Sequence, residues 1–146
     1  MTNIGAATAG LLGDLRDSGY KITAPRFRVI ERLAGREDNF TAEELAAELA
    51  PVGRATVYRT LKLLLETGLV CRIVMADGSV AYRMSDRMHH HHLVCVGCGA
   101  TEDIDPGEVD EVITTVRNAS GYQLVGHRIE VYGFCPACQA LQNPGS

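Results

Sequence analysis

The chain has 146 residues, of which 46% are hydrophobic and 22% are charged, and its formal net charge is −4. This composition is typical of a globular protein and argues against both a disordered chain and a membrane span. The length fits one ordinary domain or two small ones, and the acidic balance argues against a uniformly basic nucleic-acid binder.

The charges are distributed unevenly along the chain. Residues 1–87 contain 12 Lys and Arg against 11 Asp and Glu, whereas residues 88–146 contain 2 against 7. This asymmetry suggests two functions and predicts two domains, 1–86 and 87–146. No targeting segment is recognised, so we expect a cytoplasmic protein whose thiols stay reduced.

Residues typical of helix ends predict the bounds of the first three helices. The first covers residues 4–18 and stops near Gly19. Thr23 is suited to cap the second, which has Pro25 in its first turn. The segment 41–44, Thr-Ala-Glu-Glu, has the pattern of a capping box and begins the third helix.

The fourth predicted helix, about residues 54–67, indicates a function. Its apolar residues recur at helical spacing and are Val57, Leu61, Leu64 and Leu65. The opposite face carries Ala55, Tyr58, Arg59 and Lys62. A short helix, a turn and a helix with Tyr, Arg and Lys outward is how a helix-turn-helix presents its recognition helix to the major groove of DNA. The alternative is a helical bundle with a solvated basic face.

A β-hairpin is predicted after the fourth helix. Residues 69–75 and 80–84 read as strands around Asp77-Gly78, which is a strong signal for a short turn. Helices followed by a hairpin describe a winged helix, which favours DNA binding over the bundle.

Two CxxC units dominate the second half. Cys95 and Cys98 form the first, and Cys135 and Cys138 form the second. Two such bends supply the four sulfur atoms of a tetrahedral structural zinc site. The alternative of two disulfides is disfavoured in a reducing compartment, and it would leave Cys71 unpaired.

The first CxxC unit is preceded by four consecutive histidines, 89–92. If residues 88–94 form a strand, His89 and His91 point to one face, and His90 and His92 to the other. The run can therefore serve two separate sites. The alternatives are an expression tag, although tags are terminal, and a solvated polar loop.

The remaining elements suggest a small α/β unit. Residues 100–105 read as a strand, and a helix runs from Pro106 to Ala119 before Gly121 ends it. We expect a strand over 122–132, with His127 on its apolar side as either a core histidine or a metal ligand. A βαβ-type unit of roughly 60 residues buries little by itself, so we expect it to pair with a copy of itself.

These segments together resemble the ferric uptake regulator (Fur) family of bacterial metal-responsive repressors. The similarity lies in GYKITAPR, RATVYRTLKLLLETGLV, HHHHLVCVGCG, HRIEVYGFC and CPAC. The resemblance implies an α+β fold, with an N-terminal winged helix and a C-terminal α/β dimerisation domain that carries a four-cysteine zinc site. It also implies that a homodimer binds a palindromic DNA operator, without enzymatic activity or a membrane partner.

The resemblance assigns most of the candidate residues. The structural zinc ligands would be Cys95, Cys98, Cys135 and Cys138. A site within the dimerisation domain would use His89, His91, Asp110 and His127. A regulatory site would use His90, His92 and Asp103. The predicted DNA contacts are Lys21 in the minor groove and, on the recognition helix, Arg54, Thr56, Tyr58, Arg59 and Lys62.

Departures from the family pattern favour Zn²⁺ as the regulatory metal. Many iron-sensing members have a histidine where this chain has Asn39-Phe40, and some zinc-sensing members have an acidic ligand where it has Cys71. A set of Cys71, His90, His92 and Asp103 suits tetrahedral zinc better than Fe²⁺. The alternatives are an Fe²⁺-responsive regulator with Cys71 packed as a small hydrophobe, a zinc buffer or chaperone, and a metal-dependent hydrolase, which lacks an HExxH-type motif here.

Overall fold

The computed structural model describes residues 4–85 and 91–142, which contain both helices and strands, as expected for an α+β fold. In chain order the elements are α1 Ile4–Asp17, α2 Ala24–Leu33, α3 Ala42–Glu48, α4 Arg54–Glu66, β1 Val70–Val74, β2 Val80–Met84, β3 His91–Cys95, β4 Thr101–Ile104, α5 Pro106–Ser120, β5 Glu130–Gly133 and α6 Pro136–Gln142. None of the helices in these two ranges is long and apolar enough to cross a membrane.

The described residues divide into two compact units. The first unit comprises residues 4–73 and 80–85, and the second comprises 74–79 and 91–142. The hairpin turn is grouped with the second unit, where the hydroxyl of Tyr132 donates a 2.7 Å hydrogen bond to the carbonyl of Val74. The predicted domains, 1–86 and 87–146, instead assign this turn to the first.

Local capping determines where the helices of the first unit begin. The Thr23 hydroxyl accepts a 3.3 Å hydrogen bond from the Arg26 amide, which confirms the predicted N-cap of α2. At α3, Thr41 accepts from the Glu44 amide at 3.0 Å, and the Glu44 carboxylate accepts from the Thr41 amide at 3.1 Å. The predicted capping box is therefore present, and it satisfies amides that a helix start leaves without intrahelical partners.

One apolar core holds the first unit together. Its most deeply buried side chains come from all four helices and the loop before α3, and include Leu15, Ile30, Leu33, Phe40, Leu45 and Leu64. Fully burying each such side chain contributes about 1.5–3 kcal/mol. This unit therefore has a continuous core of its own.

The hairpin that follows α4 completes a winged helix. Its strands β1 and β2 pair with each other, and Gly78 takes the positive φ of +85° that the turn needs. Phe40 and Tyr82 exchange backbone hydrogen bonds of 2.9 and 2.7 Å, which tie β2 to the segment before α3. The predicted helix-turn-helix and wing are therefore both confirmed.

The second unit is built on a three-stranded sheet in the order β4-β3-β5. The central strand β3 runs antiparallel to β4 and parallel to β5. Helix α5 joins β4 to β5; Asp105 caps its start, and Gly121 ends it with a φ of +69°. The predicted helix bounds are confirmed to within a residue.

Two sequence predictions for the second unit are corrected. The strand expected over 122–132 is only Glu130–Gly133, because β5 finds its partner in the segment 92–95 of β3 and the preceding residues form no ladder. The apolar face expected there is absent as well, since Val125 is 98% exposed and Val131 is 47% exposed. Helix α6, which contains Cys138, was not predicted.

The second unit leaves much of its apolar surface exposed. Its buried hydrophobic side chains within 91–142 are Val94, Cys95 and Val109. By contrast, the exposed ones include Val112, Val116, Tyr122, Val125 and Leu141. Of these, Val112 and Val116 lie one helical turn apart on α5, so they form an exposed apolar stripe on that helix.

Candidate metal centre and nucleic-acid interface

The four cysteines of the two CxxC units meet at one point of the second unit. Cys95 ends β3, Cys98 lies in the turn that follows, Cys135 follows β5, and Cys138 lies in the first turn of α6. Their sulfur atoms all lie within 4.8 Å of one another, and those of Cys98 and Cys135 are 3.9 Å apart. Tetrahedral zinc, with Zn–S bonds of about 2.3 Å, separates its sulfurs by about 3.8 Å. The cluster therefore has the donor set and spacing of a structural zinc site.

Backbone groups arrange this cluster. The Cys95 sulfur accepts hydrogen bonds from the amides of Cys135 at 3.3 Å and Cys98 at 3.5 Å. Gly99, at a φ of +76°, closes the turn after Cys98. Gly97 is required for space, because a Cβ atom there would lie 2.9 Å from the sulfur of Cys138.

The protonation of the thiols shows why the cluster needs a cation. Hydrogen bonds from the amides of Cys135 and Cys98 lower the pKa of Cys95 to about 6. The pKa of Cys138 is raised to about 12, chiefly by its contacts with the sulfurs of Cys135 and Cys95. Four thiolates cannot share this space without a positive charge among them, and a bound metal ion supplies that charge.

A second possible metal-binding pair lies in the same unit. His91 is 1% exposed, its Nε2 atom lies 3.2 Å from that of His127, and the two rings are stacked at 4.9 Å. Two imidazole nitrogens bound to one tetrahedral ion at about 2.0–2.1 Å lie about 3.3–3.4 Å apart, close to the separation seen here. Two of the four residues predicted for the dimerisation-domain site are therefore adjacent.

The other two predicted ligands of that site have different outcomes. His89 lies outside the described residues. Asp110 is on α5, and no group of three or more metal-ligating side chains other than the four cysteines forms within 4–85 and 91–142. The assignment of His89 and Asp110 stays a prediction.

His92 takes a different partner from His91. It stands opposite Asp103 in the β3–β4 register, with 3.9 Å between His92 Nε2 and an Asp103 carboxylate oxygen, and it is buried. Neighbouring residues of a strand face opposite ways, so this difference is expected. The remaining predicted ligands of the regulatory site are Cys71, which belongs to the first unit, and His90, which lies outside the described residues. The complete set stays a prediction.

The recognition helix α4 exposes the predicted residues. Val57, Leu61 and Leu64 are buried in the core, so the opposite side of the helix faces solvent. The predicted DNA-contacting residues on α4 are exposed except for the half-buried Thr56, and they are Arg54, Thr56, Tyr58, Arg59 and Lys62. Thr60, on the buried side of the helix, is 1% exposed, and its hydroxyl is satisfied by donating to the Thr56 carbonyl at 2.7 Å.

Hydrogen bonds organise the exposed face of α4. The Tyr58 hydroxyl donates to the Glu43 carboxylate at 3.0 Å and accepts from Arg54 at 3.3 Å. Arg59 donates to the Thr56 hydroxyl at 3.5 Å. Sequence reasoning missed Glu43, because it lies 15 residues before Tyr58 and no local pattern connects the two.

The remaining predicted DNA contact, Lys21, lies in the segment before α2 and is exposed. Its carbonyl accepts a 2.6 Å hydrogen bond from the Arg26 guanidinium. The backbone that carries this lysine is therefore tied to the first turn of α2.

Three comparisons with known proteins give consistent results. Residues 17–132 match the model of the Ferric uptake regulator family. The Ferric uptake regulation protein of Legionella pneumophila is 37% identical over 134 residues, 86% of this chain and 96% of that protein. The crystal structure of the Vibrio cholerae ferric uptake regulator is 32% identical, with a TM-score of 0.60 over 83% of this chain and 96% of that one.

A third relative shares the fold at lower identity. It is a zinc uptake regulator, solved in complex with zinc and DNA, which covers 97% of this chain and 99% of its own. The TM-score is 0.77 and the identity is 22%. The similarity of backbone therefore extends over nearly the whole chain.

Proposed function

Since the chain belongs to the ferric uptake regulator family, we propose that it is a transcriptional repressor whose homodimer binds a palindromic DNA operator when a regulatory metal is bound. The observation that carries this proposal is the pairing of a solvent-facing Tyr58 and Arg59 on α4 with a cysteine cluster of zinc-site geometry. A helix with these exposed side chains is typical of a recognition helix that contacts bases in the major groove. A structural metal ion would stabilise the fold of the other unit.

In the proposed complex, the residues of the first unit have separate roles. Arg and Lys contacts to phosphate supply affinity that falls steeply with salt. Arg59 reads a guanine or a phosphate, and the Tyr58 ring contacts a thymine methyl group. Lys21 enters the minor groove. The shared fold with a regulator solved together with zinc and DNA supports this arrangement.

Homodimerisation is supported by the second unit. Val112 is 56% exposed and Val116 is 46% exposed on one stripe of α5, and both would be buried by a copy of the same surface. Two-fold symmetry of the protein then matches the inverted repeat of the operator.

We propose zinc as the regulatory metal, held by Cys71, His90, His92 and Asp103. One sulfur, two imidazoles and one carboxylate form a set that suits tetrahedral Zn²⁺. The ion would hold these ligands together and would take no part in a chemical reaction. Because these ligands come from both units, a bound metal would favour the conformation that binds the operator. The conformational free energy spent on ordering the two recognition helices for binding would then be smaller. The second candidate metal is Fe²⁺, which the names of the 37% identical and 32% identical relatives favour.

The test is operator binding by protein that carries only its structural zinc. An inverted repeat from the protein's own upstream region is the probe, and free Zn²⁺ or, anaerobically, Fe²⁺ is titrated. A zinc regulator binds at free zinc far below the labile iron level of a cell, and Cys71→Ser weakens that response. Activation by Fe²⁺ alone, with Cys71→Ser unaffected, would identify an iron regulator.

A matched variant tests the regulatory set itself. His90→Ala should abolish metal-dependent operator binding while the dimer stays folded, because the structural cysteines are untouched. Near-normal binding by this variant would contradict the proposed ligand set, and the absence of DNA binding by the wild-type protein with any metal would contradict the function.

A further inference from the structure

A carboxylate stands beside the DNA-reading face of α4, where its negative charge opposes the phosphates of DNA. Glu43 of α3 accepts the hydroxyl hydrogen of Tyr58 at 3.0 Å. Arg54 donates to the same hydroxyl at 3.3 Å, and its guanidinium carbon lies 5.6 Å from the centre of the Tyr58 ring. The Tyr58 side chain is thus held between an anion and a cation.

Glu43 lies in the first turn of α3, where a carboxylate favours the helix N-terminus, but this role does not require its hydrogen bond to Tyr58. The capping box of α3 is made by Thr41 and Glu44, and the core of the first unit is made of apolar side chains. Hydrogen bonds from its own amide and from Tyr58 keep the pKa of Glu43 below its usual value, so the group is charged at neutral pH. A negative charge here opposes the approach of phosphate, which weakens binding to every DNA sequence alike.

The Glu43 carboxylate determines which hydrogen bonds the Tyr58 hydroxyl can still make with DNA. A tyrosine hydroxyl has one hydrogen to donate, and here it goes to Glu43. The hydroxyl therefore cannot donate to the acceptors that purines and thymine present in the major groove. What remains for a base is the apolar ring, which suits the methyl group of thymine.

We propose that Glu43 is a specificity-determining positioning residue, which occupies the Tyr58 hydroxyl and thereby restricts Tyr58 to apolar contact with a base. The inference rests on the proposed operator binding and deepens it. Glu43 lowers affinity for DNA in general and increases discrimination between sequences. It acts through Tyr58 and Arg54 and needs no contact of its own with the operator.

The test compares Glu43→Ala with the wild-type protein on chemically altered operators. Replacing the contacted thymine by uracil removes the methyl group and should weaken wild-type binding about fourfold, as expected for one buried carbon. The variant should lose most of this penalty. It should also become sensitive to 7-deaza purines at neighbouring positions, because its freed hydroxyl can donate to N7.

Two further variants separate specificity from charge and folding. Glu66→Ala removes one negative charge from the other end of α4, so it should raise affinity for generic DNA without altering the uracil penalty. In Glu43→Ala/Tyr58→Phe no hydroxyl is left to donate, and the wild-type pattern of discrimination should return. A merely structural role of Glu43 would not be rescued in this way.

The possible outcomes are distinct. If Glu43→Ala keeps the full uracil penalty, or if the double variant discriminates no better than Glu43→Ala, the inference is wrong while the proposed function stands. If the wild-type protein does not prefer its operator to a scrambled duplex, the proposed function fails and the inference fails with it.

Discussion

Glu48 shows how single charged residues support the first unit. Its carboxylate accepts hydrogen bonds from Arg32 at 2.9 Å and from Arg36 at 2.9 and 3.3 Å, which connects α3 to α2 and the segment after it. The hydrogen bonds from Arg36 and Arg32 lower the pKa of Glu48 below its ordinary value. A group with a lowered pKa stabilises the fold above its unfolded pKa, and this stabilisation is lost as the pH falls through the folded pKa.

We therefore expect Glu48→Gln to lower the free energy of unfolding by about 0.5–1 kcal/mol at pH 7, because the carboxylate is partly exposed and screened by water. The difference from wild type should begin to shrink as the pH falls through the ordinary Glu pKa of about 4.3, and it should vanish only below the lower folded pKa, where the carboxylate is protonated in both states. Urea unfolding at a series of pH values measures this difference. Glu66→Gln is the control, and a pH-independent difference for Glu48→Gln would contradict the argument.

Residue roles were predictable where they follow from helical spacing. The outward positions of Tyr58 and Arg59 follow from the burial of Val57 and Leu61, and the sequence contains that spacing. The partner of Tyr58 could not be predicted in this way, because Glu43 meets it only after α3 and α4 pack together. The environment of a residue depends on tertiary contacts even when its orientation does not.

Among the secondary-structure elements, α3 depends most on its cap. It has seven residues, which is too short for a helix to be stable by propensity alone. Thr41→Ala removes the hydroxyl that accepts from the Glu44 amide, and we expect a loss of about 1 kcal/mol of stability. Thermal unfolding should show it. Thr115→Ala is the control, since that hydroxyl is exposed in the interior of α5 and donates only to the Glu111 carbonyl; equal losses would contradict the role of the cap.

Secondary-structure elements were predictable where their ends are set by nearby residues and were not predictable where their ends depend on tertiary pairing. Helices α2 and α5 begin at Thr23 and Asp105, whose side chains bond to amides within three residues. Strand β5 has no such signal, because its bounds depend on which part of β3 it meets. The CxxC spacing predicted the zinc cluster but not α6, which places Cys138.

In the whole molecule, the two units are stabilised by different means. The first has a continuous apolar core, whereas the second buries few apolar side chains and relies on its cysteine cluster. We expect Cys95→Ser to unfold the second unit selectively, because the binding energy of a structural zinc is folding energy. Two-dimensional NMR of the full chain should keep the dispersed signals of the first unit and lose those of residues 91–142. Cys71→Ser should keep both sets, and cooperative loss of all signals in Cys95→Ser would contradict this division.

The exposed stripe of α5 predicts how the molecule associates. Val112→Glu should shift the chain towards monomers, because a charge would be buried at the proposed two-fold interface. Sedimentation at a series of concentrations measures the shift. Thr114→Glu places the same charge on the opposite side of the helix and should leave the dimer intact. If Val112→Glu still forms the dimer at the same concentrations, the interface does not include this stripe of α5.

Gly97 is a position at which the protein could lose its zinc without losing a ligand. The added methyl of an alanine would lie 2.9 Å from the sulfur of Cys138, so it would displace that sulfur from the cluster although all four cysteines are still present. In genetic terms, a single-base change in the glycine codon could produce an allele whose four cysteine codons are intact and whose product is nevertheless inactive. A survey of natural variants that checks only the cysteines would classify such an allele as functional.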